Sequence, residues 1–176
     1  MNYRIETLIS RAEVERRIKE LAKEIEKEYE KKDLICIGLL KGSVVFLSDL
    51  IKEINLPLQI DFMNVSSYGN ETTTSGNVKV LKDTDIDVSG KDVLIIEDII
   101  DTGITLEYVQ AMFKAKGVSS VKVCALLSKP ERRRVEVFVD YIGFEIPDKF
   151  VVGYGLDYAQ KYRNLPYIGA VIFEEN

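Results

Sequence analysis

The run VLIIEDIIDTGITL, Val93 to Leu106, constrains this chain more than any other stretch. It opens as a continuous apolar segment of strand length, the pattern of a strand buried on both faces. The strand ends in two adjacent acids, Glu97 and Asp98. A third acid, Asp101, follows with Thr102 and Gly103, and a helical pattern then begins. A strand that feeds a small-residue turn at a helix N-terminus leaves backbone N–H groups unpaired and pointing outward, which suits an anion. The acids add what a plain phosphate loop lacks. Glu97 and Asp98 can accept hydrogen bonds from hydroxyls, and Asp101 can handle a proton. Phosphate, hydroxyls and a reacting nitrogen together describe a phosphorylated ribose undergoing glycosyl chemistry. An ordinary strand–turn–helix junction with an acidic cap accounts for Asp101 or Thr102, but not for two acids at the end of a buried strand.

The rest of the chain alternates in the same way. Ser10 and Glu13 form a capping box, and Val14, Ile18, Leu21, Ile25 and Tyr29 follow on one stripe, predicting a helix over residues 10–31. Strand-length apolar runs follow at Leu34–Leu40, Leu58–Val65, Asn77–Leu81, Asp92–Glu97, Ser120–Leu127, Val135–Ile142 and Phe150–Gly153. Helices are expected at 43–54 and at 105–116, the second closed by Gly117. Residues 66–77 are polar, small and turn-rich, the composition of a lid or of an exposed hairpin tip. Strands alternating with helices argue for a mainly parallel sheet covered on both faces.

Composition narrows the chemistry. The chain has 176 residues and no histidine, which removes Ser-His and Cys-His nucleophilic schemes and His-rich zinc sites. Acid–base work falls to carboxylates, lysines or tyrosines, and a metal would be a hard ion held by oxygens, such as magnesium. Cys36 and Cys124 lie in apolar runs and read as reduced core thiols. Asp83, Asp85 and Asp87 alternate as in a calcium loop, but Val88 and Leu94 stand where that loop needs glycine and a bidentate acid. No apolar segment marks the N-terminus and no run nears membrane-spanning length, so a cytoplasmic chain without a membrane partner is expected. The net charge of −5 weighs against a nucleic-acid surface.

Ligands of open α/β sheets gather at the carboxyl ends of the strands. Lys41-Gly42, Glu97 to Thr105, Lys129 and the segment after Phe150 all fall at such ends. Each has a plain reading when taken singly. Lys41-Gly42-Ser43 is an ordinary turn or an oxyanion loop, and its spacing is not that of a P-loop. Lys129 is a surface lysine, Phe150 a core ring or a stacking platform, Asp157 a turn cap or a magnesium ligand, and Arg163 a surface charge or a phosphate grip.

Taken together, LKGS, SSYGN, EDIIDTG, LLSKP and the stretch from IPDKFVVGYGLDY to YRNLPYIG resemble the type I phosphoribosyltransferases, in particular the bacterial branch that acts on hypoxanthine and guanine. The resemblance runs from Leu34 to Phe173. It implies a single phosphoribosyltransferase domain over residues 1–176, with a twisted, mainly parallel sheet flanked by helices, a small hood and a flexible lid loop. The implied reaction moves 5-phosphoribosyl from phosphoribosyl pyrophosphate (PRPP) to hypoxanthine or guanine with Mg2+, giving IMP or GMP and pyrophosphate. Glu97 and Asp98 would meet the ribose hydroxyls and, with Asp157, serve the metal. Asp101 would be the general acid/base at purine N7, and Asp101, Thr102, Gly103 and Thr105 would complete the ribose-phosphate site. Lys41, Gly42 and Arg163 would contact pyrophosphate. Lys129 would donate to the 6-oxo group, Phe150 would stack on the base, and the Val151 backbone would read its edge. Ser67 and Tyr68 would begin the lid. In that family the peptide bond at the Lys41 turn, here Leu40–Lys41, can be cis. A homodimer or homotetramer is implied. A xanthine- or guanine-preferring relative stays open, as does an RNA-binding regulator of the same fold, for which Arg132-Arg133-Arg134 beside Lys129 is the candidate basic face.

Overall fold

Two faces of one sheet carry the fold, and the apolar runs supply both. A computed structural model describes residues 2–68 and 77–174. In chain order its elements are Tyr3–Ile9 (β1), Arg11–Tyr29 (α1), Leu34–Leu40 (β2), Val44–Glu53 (α2), Gln59–Tyr68 (β3) and Asn77–Lys82 (β4). Then come Asp92–Ile100 (β5), Ile104–Ala115 (α3), Ser120–Ser128 (β6), Tyr141–Glu145 (β7), Val151–Val152 (β8) and Ile168–Phe173 (β9). Of the expected lid, residues 66–77, positions 69–76 lie outside the described residues.

Six strands form the main sheet in the order β4-β3-β2-β5-β6-β7, with every neighbouring pair parallel except β3 and β4. Alternate residues of each strand face opposite ways, so the continuous apolar runs divide into two cores. Leu34, Cys36, Leu94, Ile96, Cys124 and Leu126 face α1 and α2. Ile35, Ile37, Leu39, Val93, Ile95, Val123 and Ala125 face α3 through Leu106, Val109 and Phe113. The helix α1 begins where its capping box requires. Ser10 Oγ accepts from the Glu13 N–H at 3.3 Å, and Glu13 Oε2 accepts from the Ser10 N–H at 2.8 Å. Its stripe of Val14, Ile18, Leu21, Ile25 and Tyr29 is buried. Both cysteines are buried free thiols. Among the described residues no helix is long and apolar enough to cross a membrane.

A second sheet of three strands, β1-β9-β8, forms the hood. Neither β1 nor β9 was foreseen. In YRIETLI only Ile9 is buried, and the strand exists because Tyr3 to Ile9 pair antiparallel with Phe173 to Ile168, a partner from the other end of the chain.

Two boundaries depart from expectation. The strand expected at Val135–Ile142 begins only at Tyr141 and runs to Glu145. Upstream, Val137 and Val139 pack against the α3-side core, and Arg134 N and Val135 N both donate to Thr102 O. The alternating valines therefore cover a helix flank without a ladder partner. In addition, β5 continues past Glu97 to Ile100, because β6 keeps pairing with it up to Ile100↔Ser128.

Asp61 fastens the turn after β4. It is 8% exposed, and its carboxylate accepts from Phe62 N at 2.7 Å, Asp85 N at 2.7 Å and Ile86 N at 2.9 Å. Burial alone would raise this carboxyl, but the three N–H donors and nearby Lys82 outweigh it and hold it below the usual range. A carboxyl depressed in the folded state adds stability above the unfolded carboxylate range, and that stability is lost as pH falls through the folded value. Asp61→Asn should therefore cost about 1–3 kcal/mol near neutrality. In denaturant titrations the gap from the parent should shrink below about pH 4.

Candidate active site

β5 loses one neighbour before the other. Its pairing with β2 stops at Gly38↔Ile96, while its pairing with β6 runs on to Ile100↔Ser128. Glu97 and Asp98 are the first residues of β5 beyond the β2 ladder, and the chain of β2 turns away there at a cis Leu40–Lys41 bond. A cleft of about 300 Å³ opens at this point, lined by Leu39, Leu40, Val65, Glu97, Thr102 and Thr105 among others. Within it, burial holds the Glu97 carboxyl well above the usual carboxylate range, and the adjacent Asp98 charge pushes the same way. Asp98 Oδ1 accepts from Ile99 N at 2.8 Å.

Gly42 closes the β2 turn against this pair. A Cβ built on Gly42 would sit 1.6 Å from Asp98 Oδ2, and one built on Gly155 would sit 2.0 Å from Gly42 O. The turn, the acid of β5 and the hood segment thus meet at van der Waals contact with no room for a side chain. Lys41 is exposed beside them.

The loop after β5 turns through Gly103, whose φ of +86° is left-handed and suits glycine, directly into α3. Thr102 Oγ1 accepts from Ile104 N at 3.4 Å. With Thr105 on its first turn, α3 points its N-terminus into the cleft.

Neighbouring β6 brings Lys129 alongside, its N–H bonded to Ile100 O at 2.9 Å. Lys129 is not a surface lysine: it is 7% exposed, and its Nζ lies 3.5 Å from Asp148 Oδ1. The arginines that follow face the same loop. Arg133 donates to Asp101 O at 2.7 Å and to Ser128 Oγ at 2.8 Å. Arg132 Nε lies 2.9 Å from Asp101 Oδ1, an oxygen shielded from solvent and without a well-aligned hydrogen bond, so the contact is one of charge. Two of the three arginines of the candidate basic face are therefore engaged by the chain's own site loop. Arg132, Arg133 and Asp148 escaped sequence reasoning. For the two arginines the available signal was their place just past Lys129, where Pro130–Arg132 makes a single 3-10 turn; Asp148 had no such signal.

The hood approaches by way of the β2 turn, where Gly155 meets Gly42. Phe150 exposes 46% of its surface and packs edge-on against Tyr158, centroids 5.5 Å apart. Val151 is buried in β8 opposite Ala170. Asp157 and Arg163, six positions apart, form an ion pair of 2.7 Å, and Arg163 also donates to Gly155 O at 2.7 Å. Ser67 and Tyr68 end β3, paired by register with Val78 and Asn77. Among the described residues no three acids gather closely enough to cage a metal, so Glu97, Asp98 and Asp157 do not form one cluster. Glu97, Asp101 and the N-terminus of α3 thus share one cleft, with Asp98 next to Glu97 and the buried Lys129 at the neighbouring strand end.

The family model described as a phosphoribosyl transferase domain matches residues 6–159. The chain is 52% identical over 164 residues to a hypoxanthine-guanine phosphoribosyltransferase of Bacillus subtilis, covering 93% of this chain and 91% of that one. It is 52% identical over 176 residues to a hypoxanthine phosphoribosyltransferase of Haemophilus influenzae, covering 98% of each. A crystal structure of a hypoxanthine phosphoribosyltransferase from Staphylococcus aureus superposes with a TM-score of 0.91 at 47% identity, over 95% of this chain and 91% of that one.

The Gly42 contact is testable by stability alone. Gly42→Ala should cost about 1–3 kcal/mol through overpacking. Combining it with Asp98→Ala should cost less than the sum of the two single changes, because the opposing carboxylate is gone. Additive costs in thermal unfolding would place the clash elsewhere.

Proposed function

The chain belongs to the phosphoribosyl transferase family, and on that premise we propose that it is a purine-salvage enzyme transferring 5-phosphoribosyl from PRPP to hypoxanthine or guanine, releasing pyrophosphate with IMP or GMP. Residues 1–176 form a single phosphoribosyltransferase domain, working in the cytoplasm as a homodimer or homotetramer. The observation that carries the reading is the meeting of the β5–α3 loop with a buried Lys129 at the next strand end.

In this reading Glu97 and Asp98 accept from the ribose hydroxyls, and the 5′-phosphate lies on the N–H groups of Thr102, Gly103 and Thr105. Lys41, Gly42 and Arg163 hold pyrophosphate. As the purine N9 attacks C1 of the ribose, anionic Asp101 takes the proton through N7, and positive charge builds on the sugar while pyrophosphate leaves. Lys129 donates to a 6-oxo group and meets a 6-amino group badly, so adenine is rejected through an unpaired polar contact. Phe150 stacks on the base, and the Val151 backbone reads its edge. Ser67 and Tyr68 begin the segment that covers the site and keeps water from the activated sugar.

The oxygens present suit magnesium, an ion commonly held by one or two carboxylates together with substrate phosphates rather than by a protein cage. Glu97 with adjacent Asp98, or Asp157 set apart from them, would hold it together with substrate oxygens, and when bound it would neutralise pyrophosphate as a leaving group.

Incubating the protein with PRPP and magnesium against hypoxanthine, guanine, xanthine, adenine and uracil separately tests the reading. IMP and GMP should form, and turnover should vanish in chelator and return with magnesium. Turnover of only adenine or uracil would overturn the assignment, and full turnover in chelator would overturn the metal. Asp101→Asn should lower kcat by about 10²–10⁴-fold with PRPP binding retained, as measured by calorimetry; near-normal kcat would remove its acid/base role.

A further inference from the structure

Four charged side chains form a continuous row that starts at Asp101 on the cleft wall. Arg132 Nε is 2.9 Å from Asp101 Oδ1, and Arg132 Nη1 is 3.4 Å from each oxygen of Asp148. Asp148 Oδ1 in turn lies 3.5 Å from Lys129 Nζ. Two acids and two bases alternate, so the row is neutral as a whole. Its inner member, Lys129, is buried, and Asp148 is the carboxylate that offsets its charge.

Stability does not account for the middle of this row. Arg132 and Asp148 are 45% and 44% exposed, and ion pairs at that exposure contribute little to folding. Their geometry has another consequence. Asp101 stands on a loop between β5 and α3, and its carboxylate can rotate. Arg133 fixes the carbonyl of that residue, not its side chain. Arg132 is the cation that touches the carboxylate itself, and a planar guanidinium can face two carboxylates at once where an ammonium acts as a point charge.

We infer that Arg132 is a positioning residue that joins proton transfer to base recognition, holding the Asp101 carboxylate directly and Lys129 through Asp148. The inference rests on the roles proposed above for Asp101 and Lys129. Without Arg132 the carboxylate loses its orientation, and Asp148 is free to swing and take Lys129 with it. Both effects fall on the purine side of the reaction. The same turn reaches Thr102, whose carbonyl accepts from Arg134 N and Val135 N, but these are main-chain bonds that a side-chain change at Arg132 leaves in place.

The test is steady-state kinetics of Arg132→Ala, Arg132→Lys, Asp148→Asn and Arg132→Ala/Asp148→Asn, with Asp101→Asn and Lys129→Ala in the same assay. Arg132→Ala should lower kcat about tenfold or more and raise the KM for hypoxanthine, with the KM for PRPP unchanged. Arg132→Lys should recover part of kcat but not the hypoxanthine KM, since it cannot reach both carboxylates. Asp148→Asn should raise the hypoxanthine KM, and the double variant should fall short of the product of the single effects. Wild-type purine kinetics in Arg132→Ala, or a PRPP KM that moves as far as the hypoxanthine KM, would overturn the inference. If Asp101→Asn and Lys129→Ala are themselves near normal, the site reading fails instead, and the two failures are told apart.

Discussion

The site exists because one strand outruns its neighbour. A parallel strand flanked on both sides has its N–H and C=O groups taken up in two ladders and leaves nothing for a ligand. β5 keeps both ladders through Ile96 and only the β6 ladder as far as Ile100. The flank that β2 vacates receives Glu97, Asp98 and the cleft. Everything else is arranged about that gap. The Gly42 turn presses on Asp98 from one side, α3 points its N-terminus in from another, and β6 delivers Lys129 along the flank that stays paired.

Charge is distributed over this frame in matched pairs. Lys129 faces Asp148, Arg132 faces Asp101, and Arg163 faces Asp157. The exception is the acid pair on β5, which among these side chains has no cation set against it, and there burial drives Glu97 toward its protonated form. A desolvated carboxyl without a cationic partner is costly to ionise, so a cation bound there would favour its charged form. The site is thus most in need of a ligand where the ribose and its metal are expected.

Much of this was legible in the residues. Strand-length apolar runs gave the sheet, the Ser10–Glu13 pair gave the start of α1, and the EDIIDTG run marked the loop at the cleft. Membership of the family follows the resemblance carried by those motifs. What escaped reading has a common cause. Residues 3–9 become a strand only through a partner at residues 168–173, and Val135, Val137 and Val139 alternate like a strand while lying on a helix flank. Arg132 and Arg133 look like a solvated turn until β6 is known to run beside β5. In each case the deciding neighbour is distant in sequence, and local periodicity carries no trace of it.

The hood has a consequence for assembly. Its sheet joins β1 to β9, with Tyr3 opposite Phe173, and Tyr3 also packs edge-on against Tyr158, centroids 5.3 Å apart. Tyr158 in turn supports Phe150. A chain emerging from the ribosome releases residues 3–9 early, but they have no strand partner until residues 168–173 are made, while the six-stranded sheet can close from contacts nearer in sequence. The hood that carries Phe150 and Asp157 is therefore completed last, so a nascent chain acquires its β5–α3 loop before it acquires the finished hood sheet.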